Sequence, residues 1–202
     1  VYAACFTLLV ASIIALSRGN LKARLAYSTV SQLAYIVLGA ALATSSSVIG
    51  AGMHIAMHAA GKITLFFCAG AIYVAAHKTE IGQLDGIGRR MPITMAAFLI
   101  GSLSIIGLPP FGGTWSKWLL AVGSLEAGYQ FVVAVLMISS LLNVAYLIPI
   151  VARAFFKQPA SEDGATKAGT GKGGIEEAPL PCVLALSFTA LLCLLLFIFP
   201  DR

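Results

Sequence analysis

His54, His58 and Lys62 recur every four residues in the stretch HIAMHAAGK, with apolar sequence on both sides. At i, i+4 and i+8 they form one helical stripe that drifts through about 80° over roughly 12 Å. Imidazole exchanges protons near neutrality. Desolvation disfavours a charged ammonium, which makes a buried lysine readier to release its proton. A ladder of such groups is what a proton relay requires. For any single histidine the plain alternative is a hydrogen bond between helices, but three ionisable groups on one stripe favour the relay. Two histidines at i and i+4 can also ligate zinc, yet no carboxylate or third ligand lies in the apolar runs. No metal, no cofactor and no catalytic site of the chain's own are therefore expected.

A second cation, Lys117, lies in GTWSKWLL, directly after GLPPFGG. Gly107, Pro109, Pro110, Gly112 and Gly113 cannot continue an ordinary helix. In lipid, a broken backbone is tolerated only where protein buries it or a wet cavity adjoins it. Lys117 then has two readings: it snorkels to an interface, or its ammonium meets carbonyls and water at the break. Two polar faces accompany these cations. Ser28, Ser31, Gln32 and Tyr35 share a face with Tyr27 at its edge, and Ser139, Ser140, Asn143 and Tyr146 form a second stripe. Both faces can be helix-packing glue or can line the relay. Ser102 and Ser104 add hydroxyls to the span before the break. No Asp or Glu falls within a clear span, and the nearest is Glu126.

These residues need membrane helices to hold them. Of the 202 residues 59% are hydrophobic and 10% charged, against about 25% charged in a soluble domain, and the mean hydropathy is +0.93. Such a chain has too little polar surface to face water. The expected fold is all-α, a polytopic bundle of six or seven membrane segments in a lipid bilayer. Apolar runs predict helices at about 1–16, 25–43, 48–76, 92–109 and 130–152, with a broken segment at 110–128. Together, 1–152 form a proton-translocation half-domain. A mobile loop at 153–179 and a last membrane helix at 180–200 follow. The four cysteines lack metal spacing and are expected as small buried hydrophobes. The net charge of +5 sits mainly in connecting loops, which suits helix orientation and not nucleic-acid binding. If the broken segment crosses the membrane alone, the basic loops 17–24 and 77–91 oppose the basic 153–178 loop, and orientation stays open. The chain is expected to be a piece of a longer polypeptide.

The blocks KARLAYSTVSQLAYI, HIAMHAAGKITLFFCAG, IGQLDGIGRRMP and SIIGLPPFGGTWSKW resemble, in that order, the antiporter-like membrane subunits. These are shared by Mrp cation/proton antiporters, respiratory complex I and membrane hydrogenases, and the likeness covers the C-terminal half of such a subunit. It implies the second of two inverted repeats, with His54, His58 and Lys62 matching the family's relay. Lys117 matches the ionisable residue of the discontinuous helix. The family's Glu–Lys pair belongs to the first repeat, absent from this chain. The family often has Asp-Leu-Lys-Arg where this chain reads Asn20-Leu21-Lys22-Ala23-Arg24, a change that spares the titratable groups. The stretch from LLNVAYLIPIVARAFFK onward resembles the D-type member of the Mrp antiporters. The implied function is the proton path of a sodium/proton antiporter in a bacterial inner membrane, with protons and Na+ as cargo and other membrane subunits as partners. The alternatives are a proton-pumping subunit of NADH:quinone oxidoreductase or of a membrane hydrogenase, and a purely structural scaffold.

Overall fold

A computed structural model describes residues 1–158 and 177–198, and the described residues are helical without a strand. The α-helices are α1 (Tyr2–Ser17), α2 (Leu21–Leu42), α3 (Ser45–Ala76), α4 (Pro92–Ile106), α5 (Gly113–Glu126), α6 (Gln130–Phe156) and α7 (Leu180–Ile198). By length and hydropathy α2, α3, α6 and α7 can each cross a membrane, whereas α1 and α4 are shorter apolar helices. The chain is an integral, multi-pass membrane protein. The mobility expected of 153–179 falls mostly on 159–176, which lie outside the described residues.

Local chemistry explains where the helices start. Asn20 caps α2 by accepting from the Ala23 N–H at 3.1 Å, which starts that helix four residues ahead of the expected 25. Thr44 and Ser47 exchange side-chain and backbone bonds in a capping box at the head of α3. Proline opens α4, and the Glu177 carboxylate accepts from the N–H groups of Ile93 (2.6 Å) and Thr94 (3.4 Å). An anion there complements the positive end of the helix. The helix α6 runs four residues past the expected 152 despite Pro149; buried neighbours can satisfy what a membrane proline leaves open.

The connections show which loops share an end of the bundle. Leu21 N–H donates to the Thr79 carbonyl and Ile81 N–H to that of Gly19, both at 2.9 Å, so the 17–24 and 77–91 connections lie side by side. Gly86 N–H donates to the Arg153 carbonyl, and Asp85 pairs with Arg153, which brings the end of α6 to the same place. Glu177 brings the start of α7 there too. At the opposite end, Thr44 donates to the Gly123 carbonyl and Ser46 to Glu126. Hence α4 and α5 together make one crossing. The expected conflict between loops came from counting that crossing twice. Arg18, Lys22, Lys78, Arg89, Arg90, Arg153 and Lys157 gather at one end, while the turns at 43–44 and 127–129 carry no Lys or Arg. A bias of this kind is what the positive-inside rule describes.

Asp85 ties that end together, accepting from Arg153 Nε at 2.8 Å and Nη2 at 3.2 Å, with Lys157 Nζ at 3.6 Å. The Arg153 hydrogen bonds hold its carboxyl below the usual carboxylate range. A group depressed in the fold stabilises above its unfolded pKa, about 3.9, and that contribution fades as pH falls through the folded value. We expect Asp85→Asn to melt below wild type at pH 7 and the gap to close under about pH 4. Thermal melts in detergent across that range check this; a gap that persists in acid contradicts the ion pair.

Candidate functional site

The stripe predicted on α3 is buried: His54, His58 and Lys62 are 2%, 7% and 5% exposed. The two imidazoles stack with centroids 5.9 Å apart and planes 10° from parallel, and Tyr35 of α2 stacks on His54 at 5.3 Å. His54 Nδ1 lies 2.9 Å from Ser116 Oγ of α5. His54 Nε2 and His58 Nδ1 are buried with no protein partner. A buried polar atom left so costs about 1–3 kcal/mol.

Lys62 turns toward α2. Its Nζ donates to Ser28 Oγ at 2.6 Å and to the Leu25 carbonyl at 3.3 Å. Ser28 Oγ is 2.8 Å from the Tyr146 hydroxyl of α6, which in turn donates to Asn143 Oδ1. No carboxylate is part of this network among the described residues. Glu126 sits at the far end of α5 on Ser46, too far off to balance either lysine.

Lys117 is inside the break and does not snorkel outward. Its Nζ donates to the carbonyls of Ile105 (2.9 Å) and Ile106 (2.8 Å) and to Ser140 Oγ (3.3 Å), and it lies 5.1 Å from the Tyr35 ring centroid. The last carbonyls of a helix have no intrahelical donor and carry the negative end of its dipole, so α4 offers an ammonium a ready socket. Gly107 makes the turn with φ +85°, and a Cβ there would meet Lys117 Cδ at 2.9 Å. The broken segment is shorter than the expected 110–128: helix ends at Ile106 and resumes at Gly113. Pro109, Pro110 and Gly112 lie in that gap, where Gly112 N–H donates to the Cys193 carbonyl of α7.

The two polar faces divide by partner. Ser28, Asn143 and Tyr146 join the Lys62 network, and Tyr35 and Ser140 meet Lys117. Ser31 instead bonds Ser12 Oγ at 2.7 Å and the Leu8 carbonyl at 3.0 Å, gluing α1 to α2. Gln32, Ser102 and Ser139 are fully buried, and their side-chain polar atoms have no protein partner. Sequence reasoning overlooked Ser116, whose only signal is its place beside Lys117, and Ser12, a lone hydroxyl in an apolar run. Among the described residues no group of three His, Cys, Asp or Glu is placed to hold a metal.

A Cβ at Gly113 would fall 2.0 Å from the Ser104 carbonyl oxygen, so α5 starts pressed against α4. We expect Gly113→Ala to cost about 1–3 kcal/mol of stability. Gly52→Ala, with nothing within 4 Å of its Cβ, serves as the control and should leave the melt unchanged or slightly raised. Equal melting of both variants in detergent would refute the close approach.

Comparison with known proteins adds to this geometry. The family described as "NADH:quinone oxidoreductase/Mrp antiporter, TM" matches residues 1–143. The chain is 43% identical over 150 residues to NADH-quinone oxidoreductase subunit N of Desulforudis audaxviator, covering 74% of this chain and 30% of that relative. It superposes on a chain of the Mrp complex from Dietzia sp. with a TM-score of 0.87 and 22% identity, over 98% of this chain and 43% of that one. A chain of an archaeal membrane-bound sulfane sulfur reductase matches with a TM-score of 0.87 and 27% identity, over all of this chain and 32% of that one. The chain thus spans less than half the length of these relatives.

Proposed function

From the premise that this chain belongs to the NADH:quinone oxidoreductase/Mrp antiporter transmembrane family, we propose that it carries protons through the membrane along His54, His58, Lys62 and Lys117. The observation that carries this reading is the pair formed by buried Lys62 and part-buried Lys117, each held by a hydroxyl and backbone carbonyls and, among the described residues, neither by a carboxylate. A structural lysine would be neutralised by a fixed counter-charge. An ammonium held only by neutral oxygens can lose its proton without leaving a carboxylate stranded in the bilayer.

The histidines link the two lysines in space, although both precede them in sequence. His58 is one turn from Lys62, and His54 bonds Ser116, the neighbour of Lys117. Their unpartnered nitrogens give a proton a place to arrive and another from which to leave. Hydration bridges the steps, because a 5.9 Å ring stack is too long for direct transfer.

The finer reading is a multisubunit sodium/proton antiporter, in which other membrane subunits complete the path. It is supported by the resemblance of 141–157 and the following helix to the D-type member of the Mrp antiporters. A second reading, a redox-driven proton pump of the NADH:quinone oxidoreductase kind, is favoured by the 43% identity to a subunit N.

Everted vesicles holding the full-length subunit in its complex, with a pH-sensitive dye, separate these. We expect Lys62→Ala to lower proton flux by about 100-fold or more, within the range for loss of a proton-transfer group. A sodium-triggered loss of the pH gradient that disappears in the variant establishes the antiporter. Acidification on adding NADH that disappears in the variant establishes the pump. Flux indifferent to Lys62 in both assays refutes the relay.

A further inference from the structure

The hydrogen bonds leaving Lys62 have a polarity. An ammonium has donors and no acceptor, so with Lys62 charged, Ser28 Oγ accepts from it at 2.6 Å. The Ser28 O–H is then free for Tyr146, 2.8 Å away, and the Tyr146 O–H goes to Asn143 Oδ1. Every donor points away from Lys62, and the chain ends on an amide.

That amide has a second face. Asn143 is fully buried, and its Nδ2 has no partner. Near it, the Tyr35 hydroxyl and Ser139 Oγ are buried polar atoms in the same condition. The Tyr35 hydroxyl faces Ser139, Ser140 and Asn143. Ser140 accepts from Lys117, whose ammonium also lies by the Tyr35 ring. Asn143 therefore stands between the chain from Lys62 and the polar cluster that touches Lys117.

We propose that Ser28, Tyr146 and Asn143 form a reversible hydrogen-bond switch, in which Asn143 turns its amide over as Lys62 gains or loses its proton. This rests on the reading of Lys62 as a proton carrier. A neutral Lys62 offers a lone pair. Ser28 turns its O–H to that nitrogen, and Tyr146 turns its O–H to Ser28. Asn143 then presents Nδ2–H to the Tyr146 oxygen and swings Oδ1 toward Tyr35 and Ser139. No covalent bond forms or breaks and no proton crosses the switch; the proton leaving Lys62 departs on the histidine side. Each contact survives with donor and acceptor exchanged. An acceptor turned toward Lys117 favours its charged form, so the two lysines are set to hold charge in alternation.

The charged and titratable groups facing this chain are Lys62 and His58 of α3, Arg24 and Tyr35 of α2, Tyr146 of α6 and Lys117 of α5. From α7 the Cys193 thiol lies on Thr64, two residues past Lys62. Ser102 and Ser104 of α4 do not titrate. Arg24 fixes the height of Tyr146, donating to its carbonyl at 3.1 Å while also holding the Leu16 and Arg18 carbonyls at the end of α1.

The test uses the full-length subunit in its complex in liposomes, with 3-fluorotyrosine at position 146. Its fluorine resonance should step with pH in wild type, and the step should vanish in Lys62→Met. In Asn143→Leu, similar in size but unable to reverse, the step should shrink at least about twofold. The same Asn143→Leu variant should slow proton flux about tenfold, on the scale of one lost hydrogen bond, while the complex still assembles. A resonance flat with pH, or a step that survives Lys62→Met, overturns the switch even if wild-type flux is normal. A fluorine step that depends on Lys62 in a complex without proton flux leaves the switch standing and overturns the transport reading instead.

Discussion

Placing an ammonium in hydrocarbon costs roughly 2.5–3.5 kcal/mol on insertion scales, and this chain does so at Lys62 and Lys117. The arrangement of the bundle follows from how that cost is offset. Neither ammonium meets a carboxylate among the described residues. Lys117 takes two carbonyls from the end of α4, and Lys62 takes one from α2 with the Ser28 hydroxyl. Lys117 thereby requires a helix that stops in mid-membrane, and the glycines and prolines around residue 110 stop it. Neutral acceptors stabilise the charge less than an anion would, which keeps deprotonation within reach.

Much of this was legible in the sequence. Long apolar runs set the helix count, and the i, i+4, i+8 spacing put His54, His58 and Lys62 on one stripe because helical geometry allows nothing else. GLPPFGG announced the break. Two kinds of information were hidden. One was how far the break extends: α5 resumes at Gly113, because glycine's lack of a Cβ permits a close approach to Ser104 that composition cannot reveal. The other was partner choice across helices. Ser28 and Ser31 are three residues apart on one face, yet one serves Lys62 and the other binds α1. The rotation of α2 against two neighbours decides that, and no local pattern encodes it.

Topology shows the same division. Hydropathy counted α4 and the broken segment as separate crossings, since each is an apolar stretch. The contacts of Thr44 with Gly123 and of Asp85 with Arg153 show that they share one crossing. With that correction, the basic residues fall on one side and the charge bias agrees with itself. Two half-length helices meeting end to end expose to the bundle interior the polar backbone ends that a continuous helix would have consumed.

The helix α4 is gripped at both ends by groups from elsewhere in the chain. Glu177 holds its N-terminal N–H groups, and Lys117 holds its C-terminal carbonyls. It behaves as a strut under matched loads. Sliding it toward the basic end would stretch the Lys117 contacts while compressing those to Glu177, and sliding it the other way would do the reverse. The segment leading into α7 and the ammonium in mid-membrane are thereby joined by a rigid rod 15 residues long. A pull on that segment from outside the bilayer would register, through the rod, as a change in the seating of Lys117.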